Sequence, residues 1–225
     1  MNQTVVIFLD CSDIAVYLIK KILANKKFDI LFTVFSKSFK KGDEKKFNFL
    51  DKKKIFFYSE KKKQVLINKI KKIKPDLLFS YYDFKISKKI LMNIKNAAVN
   101  FHPSYLPYNK GRHSTFWGIV NSTPLGASSH WMNDKFDGGD IFFQKKLKLS
   151  GLSTATKVFN KQMLLLKEVI DKVLKLCAKK KFLRKKQFKL KKSYNYKEDI
   201  IKMTRFNYNN QVKKIKFLKI LHGTS

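Results

Sequence analysis

The chain has little of several features that would place it in an oxidising compartment or in a membrane. It has two cysteines, Cys11 and Cys177, far apart in 225 residues, which argues against a disulfide framework and favours a reducing compartment. No apolar run approaches about 18 residues, so no transmembrane helix is expected. The first residues carry no basic stretch, and Asp10 follows closely, so no secretory signal is expected. The sequence therefore predicts a cytoplasmic protein without a membrane span.

Acidic residues are also scarce. The chain has 16 Asp and Glu against 50 Lys and Arg, which gives a net charge of +34 at pH 7. Only three of the basic residues are arginines, and the lysines are spread along the whole chain, which favours a solvated basic surface over a nucleic-acid site. Residues 178–225 nevertheless hold 16 of the basic residues and two of the acids. The less favoured alternative is a basic tail that binds phosphates, including those of nucleic acid.

The order of apolar runs and helical stripes predicts an α/β fold. Short runs rich in β-branched residues are typical of buried parallel strands. Such runs occur at residues 5–9, 30–35, 55–58, 77–81 and 97–101. Helical stripes separate them, at 14–23, 60–74 and 86–94, and residues 37–54 are expected to form a basic loop with a short helix. This alternation predicts an open, mostly parallel twisted sheet with helices on both faces.

The second half of the chain completes the predicted domain. Two further strands are expected at residues 127–132 and 141–149, and a long amphipathic helix at 154–180. We therefore expect a catalytic domain over residues 1–180. Residues 181–225 are expected to form a short basic C-terminal appendage, with a strand or helix near residues 215–221.

Three chemistry-bearing residues follow the predicted strands. Asn100 and His102 lie two residues apart at the end of the fifth strand, so both side chains point to the same face. Chemistry in sheets of this kind lies at the carboxyl ends of the strands. Asp137 comes 35 residues after His102 and precedes a Gly-Gly turn. An amide, an imidazole and a carboxylate on one scaffold are the groups that acyl transfer to an amine requires.

The stretch NFHPSYLP (residues 100–107), followed by FDGGD (136–140), resembles the formyltransferase family that uses 10-formyltetrahydrofolate. The resemblance covers roughly residues 1–150 and is most specific over 97–145. It implies that Asn100 donates to the developing oxyanion, that His102 polarises the formyl oxygen or relays a proton, and that Asp137 accepts the proton and tunes His102. Which of His102 and Asp137 is the final base stays open.

The resemblance also implies where the folate co-substrate binds. The pterin would lie against the segment after the fourth strand and against the loop before the Gly-Gly turn. This assigns Phe84, Ile86 and Asp134 to cofactor binding, and no metal is implied. His130, on the strand before Asp137, either lines the site or is a packed structural histidine.

Three features bear on the acceptor. The turn after the first strand is DCSD, with acids where a Gly-rich phosphate cradle would present backbone N–H groups, which departs from glycinamide ribonucleotide formyltransferases. About 45 residues follow the long helix, too few for the second domain with which methionyl-tRNA formyltransferases grip tRNA. Residues 103–117, PSYLPYNKGRHSTFW, are similar to nucleotide-sugar N-formyltransferases. The resemblance therefore implies transfer to the amino group of a nucleotide-linked amino-deoxy sugar.

That interpretation assigns residues of the same segment to the substrate. Asn109, Lys110, Arg112 and His113 are the nearest candidates to meet a nucleoside diphosphate, and Trp117 could stack on a base or sugar. The alternatives are a minimal methionyl-tRNA formyltransferase that uses its basic tail as a grip, another amine formyltransferase, and a basic RNA-binding protein on the same scaffold. A homodimer built through segments after the catalytic core is also expected.

Overall fold

The computed structural model describes residues 2–148, 154–190 and, for the backbone alone, 194–195. The strands are β1 (Gln3–Leu9), β2 (Phe28–Phe35), β3 (Ile55–Phe57), β4 (Leu77–Tyr81), β5 (Ala97–His102), β6 (Lys110–Gly111), β7 (Gly126–Trp131), β8 (Ile141–Lys146) and β9 (Tyr194–Asn195). Seven of them form one sheet in the order β3-β2-β1-β4-β5-β7-β8, and β6 pairs with β9. Strands β1 to β5 run parallel, whereas β7 and β8 are antiparallel to their neighbours. The mostly parallel sheet predicted from the sequence is confirmed.

Helices cover both faces of this sheet. They are α1 (Asp13–Leu23), α2 (Lys63–Ile73), α3 (Lys88–Leu91), α4 (Ser114–Val120) and α5 (Ala155–Ala178). Helices α1 and α5 pack on one face, and α2 and α3 pack on the other. Within the described ranges, no helix combines the length and apolarity needed to cross a bilayer.

Strand β1 shows why the first strands are continuous apolar runs. Val5, Ile7 and Leu9 pack in the cluster that includes α1 and α5, whereas Val6 and Phe8 pack in the cluster that includes α2. Successive side chains of a strand point to opposite faces, so a strand covered on both sides must be apolar at every position. The central place of β1, between β2 and β4, therefore follows from its sequence.

Several predicted boundaries shift in the structure. The helix expected over residues 86–94 is the single turn α3, and the loop at 37–54 contains two 3₁₀ turns, Asp43–Phe47 and Lys52–Lys54. The element expected near residues 215–221 lies outside the described residues. A domain boundary at residue 180 stays a prediction.

The turn between β1 and α1 closes on its own side chains. The Asp10 carboxylate accepts hydrogen bonds from the backbone N–H (2.9 Å) and the hydroxyl (2.6 Å) of Ser12, and the Ser12 hydroxyl caps the N–H of Ala15 (3.3 Å). Burial raises the pKa of Asp10, although the two Ser12 hydrogen bonds oppose this. The N–H groups that would cradle a phosphate in a Gly-rich loop are thus partly taken up by a carboxylate and a hydroxyl.

Candidate active site

The pairing of β5 with β7 brings a second histidine beside Asn100. In this antiparallel ladder Asn100 lies opposite His130, and His102 lies opposite Ser128. The Asn100 side-chain nitrogen is 3.2 Å from His130 Nε2. His130 Nδ1 is 2.9 Å from the carbonyl oxygen of Trp131, so Nδ1 carries a hydrogen and, in the neutral ring, Nε2 accepts the Asn100 hydrogen bond. The sequence leaves the role of His130 undecided, and the structure places it in the site.

Asp137 reaches the same point from the loop between β7 and β8. Its Oδ1 is 3.2 Å from His130 Nε2, and its Oδ2 is 3.6 Å from His102 Nε2. The backbone N–H of Gly111 donates to Oδ2 at 2.8 Å. The structure therefore brings together the three residues that the sequence predicted as catalytic, and it adds His130 between Asn100 and Asp137.

The environment keeps Asp137 ionised. Burial on its own would raise the pKa of the carboxyl group, whose side chain is only 10% exposed, but His102, His130 and the Gly111 N–H outweigh burial and hold the pKa well below its usual range. A carboxylate with so low a pKa is a weak proton acceptor. Its strongest effect on the site is therefore electrostatic.

The environment keeps His102 neutral. Burial lowers the pKa of its imidazole below the ordinary value of 6.5, and it outweighs the Asp137 carboxylate, which raises the pKa. His102 Nε2 lies 3.3 Å from the carbonyl oxygen of Asn109, and because a carbonyl can only accept, Nε2 carries the hydrogen. His102 Nδ1 is then the nitrogen with a free lone pair on the ring.

We predict that His102 titrates below pH 6.5 and is neutral at physiological pH. The protonated imidazole is disfavoured in the buried site, so the ring stays uncharged until the solution is more acidic than its folded-state pKa. The measurement is ¹⁵N NMR of the imidazole nitrogens in histidine-labelled protein, with each signal assigned through single His→Gln variants. A midpoint at or above 6.5 would contradict the prediction.

The DGG turn works differently from an ordinary glycine turn. The positive φ, 45°, falls on Asp137 itself rather than on a glycine. Gly139 is required for a different reason: a Cβ built at this position would lie 1.7 Å from the carbonyl oxygen of Trp131. The missing side chain lets the loop pack against the end of β7, which brings Asp137 over the two histidines.

Gly139→Ala is expected to destabilise the protein by about 1–3 kcal/mol, because the new methyl group overlaps backbone that cannot rotate away. Urea unfolding followed by circular dichroism would measure the loss. Gly118→Ala is the matched control, since the nearest atom there is the side chain of Leu125, which can move. An equal loss of stability in both variants would contradict this account.

A cleft opens beside Asn100, His130 and Asp137. It lies between the segment after β4 and the loop before Asp137. Its other lining residues are Ser80, Tyr82, Phe84, Lys85, Ile86, Met132, Asn133, Lys135 and Phe136. Phe84 and Ile86, two of the three predicted cofactor residues, thus line the cleft, whereas Asp134 lies exposed on the loop outside this lining.

Two buried polar atoms of the cleft lack partners in the described part of the chain. They are the hydroxyl oxygens of Ser80, which is 1% exposed, and of Tyr82. Buried polar groups nearly always form hydrogen bonds. A ligand with polar edges would satisfy both atoms, and the phenyl ring of Phe84 and the side chain of Ile86 would cover its faces.

The predicted substrate residues fall into two groups. Lys110 and Arg112 differ in exposure. Lys110 is half-buried, and burial lowers its pKa, although Asp137 raises it. Arg112 is exposed and donates to the carbonyl of Asp83 at 3.1 Å. Asn109 is buried, and its amide donates to the Thr123 hydroxyl at 2.7 Å.

The remaining two substrate residues belong to the start and the middle of α4. His113 precedes the helix in a left-handed conformation, with φ 56°. Trp117 is 8% exposed and packs in the core against Phe116, with ring centroids 4.9 Å apart. Because its ring is buried in the core, Trp117 does not line the cleft.

The chain is similar to proteins of a known family. A model of the formyl transferase family matches residues 4–174. Among curated proteins, GDP-perosamine N-formyltransferase of Brucella melitensis biotype 1 is 37% identical over 105 residues, which cover 44% of this chain and 40% of the relative. The match thus spans less than half of the length of that relative.

Solved structures show the same fold. A 4-N formyltransferase from Francisella tularensis superposes with a TM-score of 0.76 at 22% identity, covering 96% of this chain and 86% of that chain. The formyltransferase PseJ from Anoxybacillus kamchatkensis, in complex with UDP-4,6-dideoxy-4-formamido-L-AltNAc and tetrahydrofolate, gives a TM-score of 0.67 at 21% identity and covers 94% of this chain and 97% of that chain. At these identities the similarity establishes the fold.

Proposed function

The chain belongs to the formyl transferase family, as the sequence predicted, and we propose that it moves a formyl group from 10-formyltetrahydrofolate to the amino group of a nucleotide-linked amino-deoxy sugar. One observation carries the proposal: Asn100, His130 and Asp137 line the end of a cleft, and the buried His102 lies next to them, with its Nε2 3.6 Å from Asp137 Oδ2. This is the set of groups that formyl transfer to an amine needs, namely an amide donor, a neutral imidazole and a fixed negative charge.

The first step is attack of the amine on the formyl carbon. The nitrogen lone pair forms the new C–N bond, and the carbonyl π electrons move to oxygen. In this proposal the Asn100 amide donates to that oxyanion. When His130 is neutral, its Nε2 also accepts from Asn100. The amide nitrogen of Asn100 carries two hydrogens, so the one that does not meet His130 is available for the oxyanion.

The second step removes a proton from the attacking nitrogen and breaks the bond between the formyl carbon and N10 of the folate. His102 is the better proton acceptor of the two candidates, because its imidazole is neutral whereas the pKa of Asp137 lies well below its usual range. Asp137 then stabilises the imidazolium. The proton passes to N10 as tetrahydrofolate leaves, so the products are the formamido sugar and tetrahydrofolate.

The residues that line the cleft are chemically suited to bind the folate. The orphan hydroxyls of Ser80 and Tyr82 match the polar edge of a pterin, and Phe84 and Ile86 supply apolar contact for its faces. Asp134 would contact it from the exposed loop. The bound tetrahydrofolate in the PseJ structure supports this assignment.

The sugar acceptor is supported by the relatives and by the segment after β5. GDP-perosamine N-formyltransferase is named for a nucleotide-linked sugar, and the PseJ structure contains one. Lys110 and Arg112 offer positive charge for a diphosphate beside Asp137, with Asn109 and His113 in the same turn. Trp117 supports this turn from the core. A cytoplasmic homodimer stays a prediction, which light scattering and fractionation would check.

The test is acceptor-dependent release of tetrahydrofolate from 10-formyltetrahydrofolate. The acceptors are GDP-, UDP- and dTDP-linked amino sugars, glycinamide ribonucleotide and charged initiator tRNA, with His102→Ala as the inactive control. Turnover on an amino sugar that the control loses is the expected result. Turnover on charged tRNA alone would overturn the sugar proposal and favour the tRNA enzyme, and salt-sensitive RNA binding without folate binding would favour the RNA-binding alternative.

A further inference from the structure

The chain that follows α5 runs along the loop that carries Asp137. We call residues 183–188 the C-terminal strap. Trp131 Nε1 donates to the carbonyl of Leu183 at 2.8 Å, and Lys185 exchanges two backbone hydrogen bonds with Ile141, at 2.7 and 2.9 Å. Trp131 ends β7 and Ile141 begins β8. The strap is thus attached to the strands on both sides of the loop.

Gln187, near the end of the strap, binds the centre of the loop. Its side-chain Nε2 donates to the carbonyl oxygen of Asp137 at 2.9 Å and to the carbonyl oxygen of Gly139. Among the described residues, its Oε1 has no hydrogen-bond partner. Gln187 therefore acts on the loop only through its donor end, and it binds the backbone of Asp137 rather than the carboxylate.

The backbone of Asp137 is the place where such support matters. Its φ of 45° is a left-handed conformation that non-glycine residues rarely adopt. Strained backbone of this kind persists only where the surroundings hold it, and it is concentrated at functional sites. Because the direction of the side chain follows from φ and ψ, fixing the Asp137 carbonyl also fixes the carboxylate relative to His102 and His130.

The carboxylate of Asp137 is also supported by residues that follow α5. The carboxylate accepts from Gly111 N–H, and Gly111 belongs to β6, which pairs in parallel with β9. Residues beyond α5 therefore support both the carbonyl of Asp137 and the strand that binds its carboxylate.

From these contacts we infer that Gln187 is a positioning residue for Asp137. It touches neither ligand nor reacting atoms, and it acts by holding the Asp137 carbonyl so that the carboxylate stays between the two imidazoles. The effect on turnover rests on the proposed function, whereas the effect on the imidazoles does not.

The test is Gln187→Met, which keeps the length of the side chain and removes the donor. We expect kcat on the identified amino sugar to fall by about 10- to 100-fold, since a misplacement of about 1 Å can cost this much. The KM values should stay close to wild type, because neither substrate contacts Gln187 in this proposal. In the substrate-free protein, the ¹⁵N titration midpoint of His102 should move to lower pH, because the nearby carboxylate raises it.

Two further variants separate positioning from general support of the strap. Gln187→Lys restores a donor without an acceptor and should recover kcat toward wild type. Its added positive charge lowers the pKa of His102 by itself, so the midpoint is compared only between wild type and Gln187→Met. Leu183→Ala changes an exposed side chain of the strap and leaves the Gln187 hydrogen bonds in place, so it should behave as wild type. Should Gln187→Met fail to fold, Gln187→Ala replaces it in the same comparison.

Each outcome decides the inference. An unchanged His102 midpoint with wild-type kcat overturns it, as does a loss that Gln187→Lys fails to recover or that Leu183→Ala shares. A shifted His102 midpoint in a protein that turns over none of the acceptors upholds the positioning role and rejects the proposed function instead. The two failures are therefore distinguishable.

Discussion

Asp137→Asn is expected to lower kcat by about 10²- to 10⁴-fold, the range that general acid–base catalysis contributes, because His102 would have to accept the proton without a carboxylate beside it. The amide has nearly the same shape as the carboxylate, and its oxygen can still accept from Gly111 N–H. The negative charge beside His102 and His130 is lost, so the imidazolium that forms during transfer is no longer stabilised. The variant should therefore fold and bind folate but turn over poorly.

Steady-state kinetics on the amino sugar identified by the tetrahydrofolate assay would measure the effect. The pH dependence adds an independent check: the carboxylate raises the pKa of His102, so its removal should move the ¹⁵N titration midpoint of His102 to lower pH. Asp140→Asn is the matched control, because Asp140 lies in the same loop but pairs with Arg184 at 3.6 Å. Turnover of Asp137→Asn within about threefold of Asp140→Asn would rule out the assigned role.

The parts of the fold that the sequence predicted well are those whose residues are fixed by burial on both faces. Strands β1 and β4 occur where their apolar runs predict them, because a strand that is covered on both faces buries its successive side chains. The antiparallel direction of β7 and β8 was not predicted. Apolar alternation identifies a strand but carries no information on the direction of its neighbour.

The site was predicted to the extent that it depends on local sequence. Asn100 and His102 share a face because they are two residues apart on one strand, and Asp137 was predicted from the FDGGD motif. His130 was left undecided, since its contact with Asn100 depends on the register between β5 and β7. That register is set by tertiary packing. A prediction of the pairing between β5 and β7 would have placed His130 beside Asn100.

Gln187 could not be found from sequence for a related reason. Its contacts with Asp137 and Gly139 span about 50 positions of the chain and depend on how the strap follows the loop. The surrounding residues are mostly lysines, whose pattern predicts only a solvated surface. Truncation after residue 181 would remove Gln187 together with the rest of the basic tail. A deletion made to test whether the tail binds tRNA should therefore spare residues 182–195.

Asn100→Ala is expected to lower kcat by about 10²- to 10³-fold, as the loss of one oxyanion donor does in other acyl transfers. The Asn100 amide is placed by strand β5 and by its contact with His130 Nε2, so little reorganisation is needed when charge develops on the formyl oxygen. Because the amide acts on the transition state, the KM values should change little and kcat/KM should fall with kcat.

The control for Asn100 is a double-mutant cycle with His130→Ala. If His130 acts partly by holding the Asn100 amide in place, the loss in the double variant should be smaller than the product of the two single losses. Independent, multiplicative losses would show that the 3.2 Å contact between Asn100 and His130 has no part in transfer. Wild-type kcat in Asn100→Ala would remove the oxyanion role altogether. Asn100→Asp is a further test of the same role. This variant keeps the shape of the side chain but brings a second carboxylate toward Asp137 and the oxyanion. If the amide serves as a donor, kcat of Asn100→Asp should be at least as low as that of Asn100→Ala.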